Sequence, residues 1–134
     1  MKKTALALLA AVMLLVFGGC GLVRVEKAPR EPLDYTLVNS REVPEEIKKL
    51  IETKKTREFQ MTYQSGEDLY LIKGYGQQLT GGYSIQVEEL GISENAVFFR
   101  TKLLGPQEDE AGKEPSCPCI VVKIKFREEP VVFE

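Results

Sequence analysis

IVVKIKF, residues 120–126, is the stretch that decides the fold of this 134-residue chain. Every second position in it is apolar: Ile120, Val122, Ile124 and Phe126. Because side chains point alternately to the two faces of a β-strand, this spacing places those four residues on one face. The segment therefore predicts a strand with one face in a hydrophobic core.

Similar segments occur elsewhere in the chain, and turn-forming residues separate them. Ser65-Gly66-Glu67-Asp68 is a hairpin signal between two runs rich in apolar residues. Residues 105–116, GPQEDEAGKEPS, predict a polar, acidic loop. Besides residues 120–126, strands are predicted at Tyr35–Val38, Glu58–Gln64, Leu69–Lys73, Tyr83–Glu88, Ala96–Leu104 and Pro130–Phe133.

A single helix is predicted after Pro44, since proline is tolerated at the start of a helix. Two glutamates follow it and complement the helix dipole. Ile47, Leu50 and Ile51 then recur at helical spacing and form one apolar stripe. One short amphipathic helix and about seven strands predict an α+β fold dominated by an antiparallel β-sheet.

The first 20 residues have the features of a bacterial lipoprotein signal. Two lysines precede an apolar run, Ala5–Phe17, which is short for a bilayer span of about 20 residues but suits a signal peptide. Two glycines then precede Cys20, a pattern that resembles the lipobox. The prediction is a signal peptide at 1–19, a lipidated Cys20 with a flexible tether at 20–33, and a single domain at 34–134.

Charge narrows the classes of partner. The chain has 18 basic and 20 acidic residues, and removal of Lys2 and Lys3 with the signal peptide makes the rest more acidic. No nucleic acid partner is expected, because nucleic acid binding needs a basic patch. Membrane attachment is assigned to acyl chains such as palmitate on Cys20, which would hold the protein on the extracytoplasmic face of the cell membrane.

The residue types needed for common catalysis are scarce. The chain has no histidine, which removes the commonest general base, the Ser-His-Asp arrangement and the commonest zinc ligand. The glutamate pairs Glu88-Glu89 and Glu128-Glu129 are interpreted as solvated surface. The expectation is a protein that is not an enzyme and has no catalytic residue, metal site or cofactor.

Cys117-Pro118-Cys119 leaves three interpretations open. The cysteines are small apolar residues leading into the strand at Ile120, or a thiol pair with redox or disulfide chemistry, or half of a metal site. In an extended segment the two Cα atoms lie about 7 Å apart, outside the usual disulfide range. The first interpretation is favoured, because cysteine is often simply buried.

Thr80-Gly81-Gly82-Tyr83 lies between two predicted strands, and its adjacent glycines permit a turn with positive φ. The segment is either a purely structural turn or a loop presented to a partner, since binding residues are common in loops on rigid scaffolds. The residue types of this segment, taken alone, favour the structural turn.

Residues 80–87, TGGYSIQV, resemble the T-G-G-Y-x-V/I-x-V signature of the PrcB-like C-terminal domain family. Pro118–Ile124 is similar to that family's closing strand, and Pro130–Phe133 is similar to its terminal strand. The sequence departs from the family at Cys117 and Cys119, where an aromatic residue is expected at one or both positions. The resemblance covers about residues 58–134. The family is named after a lipoprotein subunit of a bacterial cell-surface protease complex, so the resemblance implies a non-catalytic accessory domain.

Three functions are therefore considered. The first is a membrane-tethered, non-catalytic lipoprotein that docks on or stabilises another exported protein, with a protease suspected and Thr80–Tyr83 as the partner-binding loop. The second is an extracytoplasmic protease inhibitor, because the loop also resembles those of chagasin-type inhibitors. The third is a thiol-active protein that uses Cys117 and Cys119.

Overall fold

The computed structural model describes residues 29–134, and this part of the chain contains one helix and eight strands. The helix, α1, is Glu45–Lys54. The strands are β1 Glu31–Pro32, β2 Thr36–Leu37, β3 Glu58–Ser65, β4 Asp68–Tyr75, β5 Ser84–Ile92, β6 Val97–Leu104, β7 Cys119–Lys125 and β8 Val131–Phe133. The α+β prediction is confirmed. The predictions for the signal peptide and Cys20 lie outside the described residues.

The strands form two four-stranded sheets. Sheet 1 has the order β1-β5-β6-β8, and sheet 2 has the order β2-β7-β4-β3. Every neighbouring pair is antiparallel except β6 and β8, which are parallel. The chain leaves sheet 1 after β6, forms β7 in sheet 2 and then returns, and such a crossover is what a parallel pair requires.

The main core lies between the two sheets. β7 contributes the alternate residues that its pattern predicts, and β6 contributes Phe99, which is 1% exposed. Phe126 departs from the prediction, because it follows the end of β7 and is 41% exposed. The buried residues of this core are Leu69, Leu71, Leu90, Val97, Phe99, Ile120, Val122 and Ile124.

A second core lies on the opposite face of sheet 2, where α1 packs. Ile47 of the helix is fully buried among Val43, Tyr70, Ile72 and Val121. The layer order is therefore sheet 1, sheet 2 and helix. Because sheet 2 is the middle layer, the central strand β4 is buried on both faces, which accounts for its unbroken apolar run at residues 69–72.

The hairpin between β3 and β4 forms at the predicted turn. Ser65 pairs with Asp68, so Gly66 and Glu67 alone make the connection. Gly66 has φ of 60° and Glu67 has a negative φ. A positive φ at only the first of two turn residues is the type II′ pattern, which matches the twist of the flanking strands and favours glycine at that position.

The folded domain begins earlier than the predicted boundary at residue 34. β1 pairs with β5, and the Leu33 amide donates to the Leu90 carbonyl at 3.0 Å. The Arg30 guanidinium contacts the carboxylates of Glu89 and Glu134 at 3.0 and 2.6 Å. Residues 30–33 thus belong to the domain rather than to the tether, since pairing with segments distant in sequence outweighs their linker-like composition. Within residues 29–134, no helix is long and apolar enough to cross a bilayer.

Candidate functional site

The Thr80–Tyr83 turn lies in the connection between β4 and β5, at one end of both sheets. Gly82 adopts φ of +86°, whereas Gly81 has no positive φ. Tyr83 is half-buried directly before β5, and Gly105, which follows β6, lies close to its ring. The glycine pair thus makes the kind of turn that its composition predicts, with only the second glycine in the left-handed region.

The acidic loop at residues 105–116 packs directly against this turn. A Cβ atom on Gly82 would lie 2.5 Å from the carbonyl oxygen of Glu110 and 2.7 Å from Cβ of Pro106. On the other side of the turn, a Cβ atom on Gly112 would lie 3.5 Å from Cα of Gly81. The absence of a side chain at residue 82 is therefore what allows the two loops to make contact.

Hydrogen bonds fasten the two loops together. Gln78 and Ser116 form an isolated β-bridge with amide-to-carbonyl distances of 2.7 and 3.1 Å. The Ser116 hydroxyl also donates to the Thr80 carbonyl at 2.7 Å. The Gln78 side-chain amide donates to the Tyr75 carbonyl at the end of β4, at 3.0 Å. The turn is held on both sides, so it has a fixed position relative to the sheets.

Leu79 is the residue of this loop that sequence reasoning missed. Its side chain is 89% exposed, the highest value among the exposed large apolar residues of the described chain. It lies between Gln78, which is bonded to Ser116, and Thr80, whose carbonyl is also bonded to Ser116. The signal was present in the sequence as a single leucine within a polar, glycine-rich loop.

Cys117 and Cys119 are free thiols in the structure. Cys119 begins β7 and packs at the margin of the core between α1 and sheet 2. Burial raises the pKa of its thiol to about 11. It also lines an open groove of about 420 Å³ together with Val38, Ile51 and Val121. These features fit a packed thiol with low reactivity at neutral pH, because the thiolate is the nucleophile.

The raised pKa of Cys119 predicts slow alkylation. With a pKa of about 11, roughly one thiol in a thousand is ionised at pH 8, and the labelling rate should rise about tenfold per pH unit up to the pKa. Mass spectrometry of iodoacetamide adducts on the Cys117→Ser variant measures this rate. Fast labelling of Cys119 at pH 7 would contradict its burial.

The charged groups around the turn do not form a metal site. The exposed carboxylates of the acidic loop come from Glu108, Asp109, Glu110 and Glu114. Within residues 29–134, no group of three or more potential ligands among histidine, cysteine, aspartate and glutamate is arranged to hold a metal ion. What the arrangement offers chemically is a rigid loop with an apolar tip beside an acidic surface.

One comparison with known protein families bears on this site. Residues 69–125 match the PrcB C-terminal family. The match confirms the resemblance predicted from the sequence and spans the central strands β4, β5, β6 and β7 with both site loops. No curated protein and no solved structure matches the chain.

The PrcB C-terminal match defines which parts of the structure belong to the family segment. The family segment contains Leu79, the Thr80–Tyr83 turn, the acidic loop and both cysteines. It does not contain α1, β1, β2, β3 or β8. At the level of the family, the match indicates an accessory role in a protease complex.

Proposed function

We propose that this protein is a membrane-tethered, non-catalytic accessory subunit that docks on an exported protease and stabilises it. The observation that carries the proposal is the PrcB C-terminal match over residues 69–125. The anchor is the lipidated Cys20 that the N-terminal sequence predicts, and it would place the domain on the extracytoplasmic face of the cell membrane.

The docking contact is assigned to the loop from Leu79 to Tyr83. Transfer of one exposed leucine side chain from water to a protein interface contributes about 1.5–3 kcal/mol. The loop is already ordered by its bonds to Ser116, so little conformational entropy is lost when a partner binds. A rigid loop with an exposed apolar tip is suited to binding and lacks the groups that catalysis requires.

Leu79→Ser is expected to weaken partner capture at least tenfold, since 1.4 kcal/mol corresponds to a factor of ten in affinity. Leu37→Ser is the matched control, because Leu37 is also exposed, at 59%, but lies on β2 away from the loop. The measurement is cross-linking in the native bacterium followed by quantification of the exported protease bound to each tagged variant.

Two results would argue against the proposal. The first is that the wild-type chain recovers no exported protease. The second is that the Leu79 and Leu37 variants recover equal amounts of it. Equal thermal unfolding of the two variants serves as the control for folding, because both side chains are exposed in the isolated domain.

A further inference from the structure

We propose that β3 is a docking edge to which an extended segment of the partner protein adds as a fifth strand of sheet 2. The inference rests on the proposed function for the identity of the partner and deepens it by naming a second surface and its chemistry. The surface consists of the outward backbone groups of Gln60, Thr62 and Gln64.

The four sheet edges of the described chain differ greatly in length. β1 and β2 have two residues each and β8 has three, whereas β3 has eight. Very short edge strands are a common way to prevent unwanted pairing. The parts of β5 and β6 that β1 and β8 leave uncovered are interrupted in other ways, by the register shift between Val87 and Glu89 in β5 and by Arg100 and Lys102 in β6. β3 is therefore the longest uninterrupted row of outward backbone groups among the edge strands of the described chain.

The hairpin register identifies which backbone groups point outward. Ser65 and Asp68 flank the two-residue turn, so they form a hydrogen-bonded pair, and every second residue of β3 bonds to β4 in the same way. Those residues are Phe59, Met61, Tyr63 and Ser65. The residues between them direct their N–H and C=O groups away from β4, and no other described strand pairs with β3.

The usual protections of a long edge are missing from β3. Its sequence, EFQMTYQS, contains no proline and no lysine, and its pairing with β4 shows no register shift. Its one charged residue, Glu58, is held by the Lys73 ammonium group at 2.7 Å. The edge therefore has no bulge, is uncharged along most of its length and is able to accept another strand.

The side chains of β3 specify the pattern that an added strand should have. Phe59, Met61 and Tyr63 are half-buried on the helix side, where the Tyr63 hydroxyl donates to Glu46 of α1. The opposite face presents exposed polar side chains. An added segment would place alternate apolar residues beside the half-buried row and polar residues beside the exposed row. β-Strand addition of this kind combines backbone hydrogen bonds with side-chain selectivity.

The position of β3 favours a protein partner over the lipid surface. Residues 33–35 alone connect β1 to β2, so the N-terminal part of the domain lies at the β2 edge of sheet 2. β3 is the opposite edge of that sheet, and its outward residues are polar. β3 also precedes the family segment at residues 69–125, so this edge is a feature of this chain rather than of the matched segment.

Thr62→Pro tests the edge directly. The Thr62 amide points outward, so proline there removes a docking donor without removing a bond to β4. Thr62→Ala is the matched control because it retains the amide, and Gln64→Pro is a second blocking variant if Thr62→Pro fails to fold. The probe is a displayed library of random ten-residue peptides. The peptides are selected on the purified wild-type protein without its predicted signal peptide.

The selected peptides are expected to alternate apolar and polar residues without internal proline. They should bind Thr62→Pro at least tenfold more weakly and Thr62→Ala within twofold of wild type. The inference would be overturned if the peptides bound the proline variants as tightly as wild type, or if no peptide were enriched. A wild-type dimer that Thr62→Pro dissociates would also overturn it, because the edge would then be occupied by a second copy.

The same variants separate this inference from the proposed function. If Thr62→Pro still captures the protease in cells as well as wild type, the edge is not the docking surface although the accessory role stands. If wild type captures no protease but the peptide preference holds, the edge accepts a strand and the proposed function fails.

Discussion

Gly82→Ala is expected to destabilise the domain and to release the acidic loop from the Thr80–Tyr83 turn. Two effects add at this position. The φ of +86° costs a residue with a side chain about 1–2 kcal/mol. The new methyl group would also overlap the Glu110 carbonyl oxygen, 2.5 Å away, and overpacking of this kind typically costs about 1–3 kcal/mol more.

The overlap at Gly82 cannot be relieved by rotating a flexible side chain, because the nearest atom belongs to the backbone of the acidic loop. The loop must therefore move away. Lys113 is the one basic residue between 105 and 116, so faster trypsin cleavage after it reports the release. A loss of 2 kcal/mol would lower the melting temperature by roughly 10 °C, at about 4–8 °C per kcal/mol.

Gly81→Ala is the matched control for Gly82→Ala. Gly81 has no positive φ, and a Cβ atom there would meet nothing closer than 3.9 Å, which is ordinary van der Waals contact. Its thermal unfolding and tryptic cleavage should stay near wild type. Equal effects of the two substitutions would show that the close approach at Gly82 does not hold the loop.

Phe99→Ala is expected to lower the free energy of unfolding by about 3–5 kcal/mol, the usual range for truncating a buried phenylalanine. The ring is 1% exposed in the core between the sheets and meets the Phe133 ring edge to face, with centroids 5.8 Å apart. Because domains of this size are stabilised by only about 5–15 kcal/mol, the loss is a large fraction of the total. The midpoint of urea unfolding measures it.

Phe98→Ala provides the comparison for Phe99→Ala. Phe98 is the neighbouring residue on the outer face of sheet 1, half-buried beneath the Arg30 guanidinium at 3.6 Å from the ring centre. A contact of this type contributes about 0.5–1 kcal/mol at exposed sites. A Phe98 variant as destabilised as the Phe99 variant would contradict the assignment of the core to the inner face.

The fold was largely predictable where one strand carries a strong local pattern. The alternation in residues 120–126 and the hairpin signal at 65–68 depend on nearby residues alone; the hairpin appears in the structure, and the alternation does so as far as Ile124. β1 could not be predicted, because two residues including Pro32 have no strand pattern of their own. Its pairing with β5 and the ion pair from Arg30 to Glu134 link segments that are far apart in sequence.

The candidate site was predictable in composition but not in arrangement. Adjacent glycines predict a turn, but only the folded chain shows that Pro106 and Glu110 occupy the space that a side chain on Gly82 would need. The exposure of Leu79 depends equally on which surfaces the acidic loop covers. Alternation in β3 predicts a strand, whereas its position at the edge of sheet 2 is set by pairings elsewhere.

The accessory role is tested most directly by the half-life of exported proteases in the organism that carries this gene. The strains compared carry a deletion of this gene, the deletion complemented with wild type, or the deletion complemented with Cys20→Ala. The accessory role predicts that one exported protease is degraded several times faster in the deletion strain and that wild type, but not Cys20→Ala, restores its half-life at the membrane. Unchanged half-lives of all exported proteases in the deletion strain would contradict it.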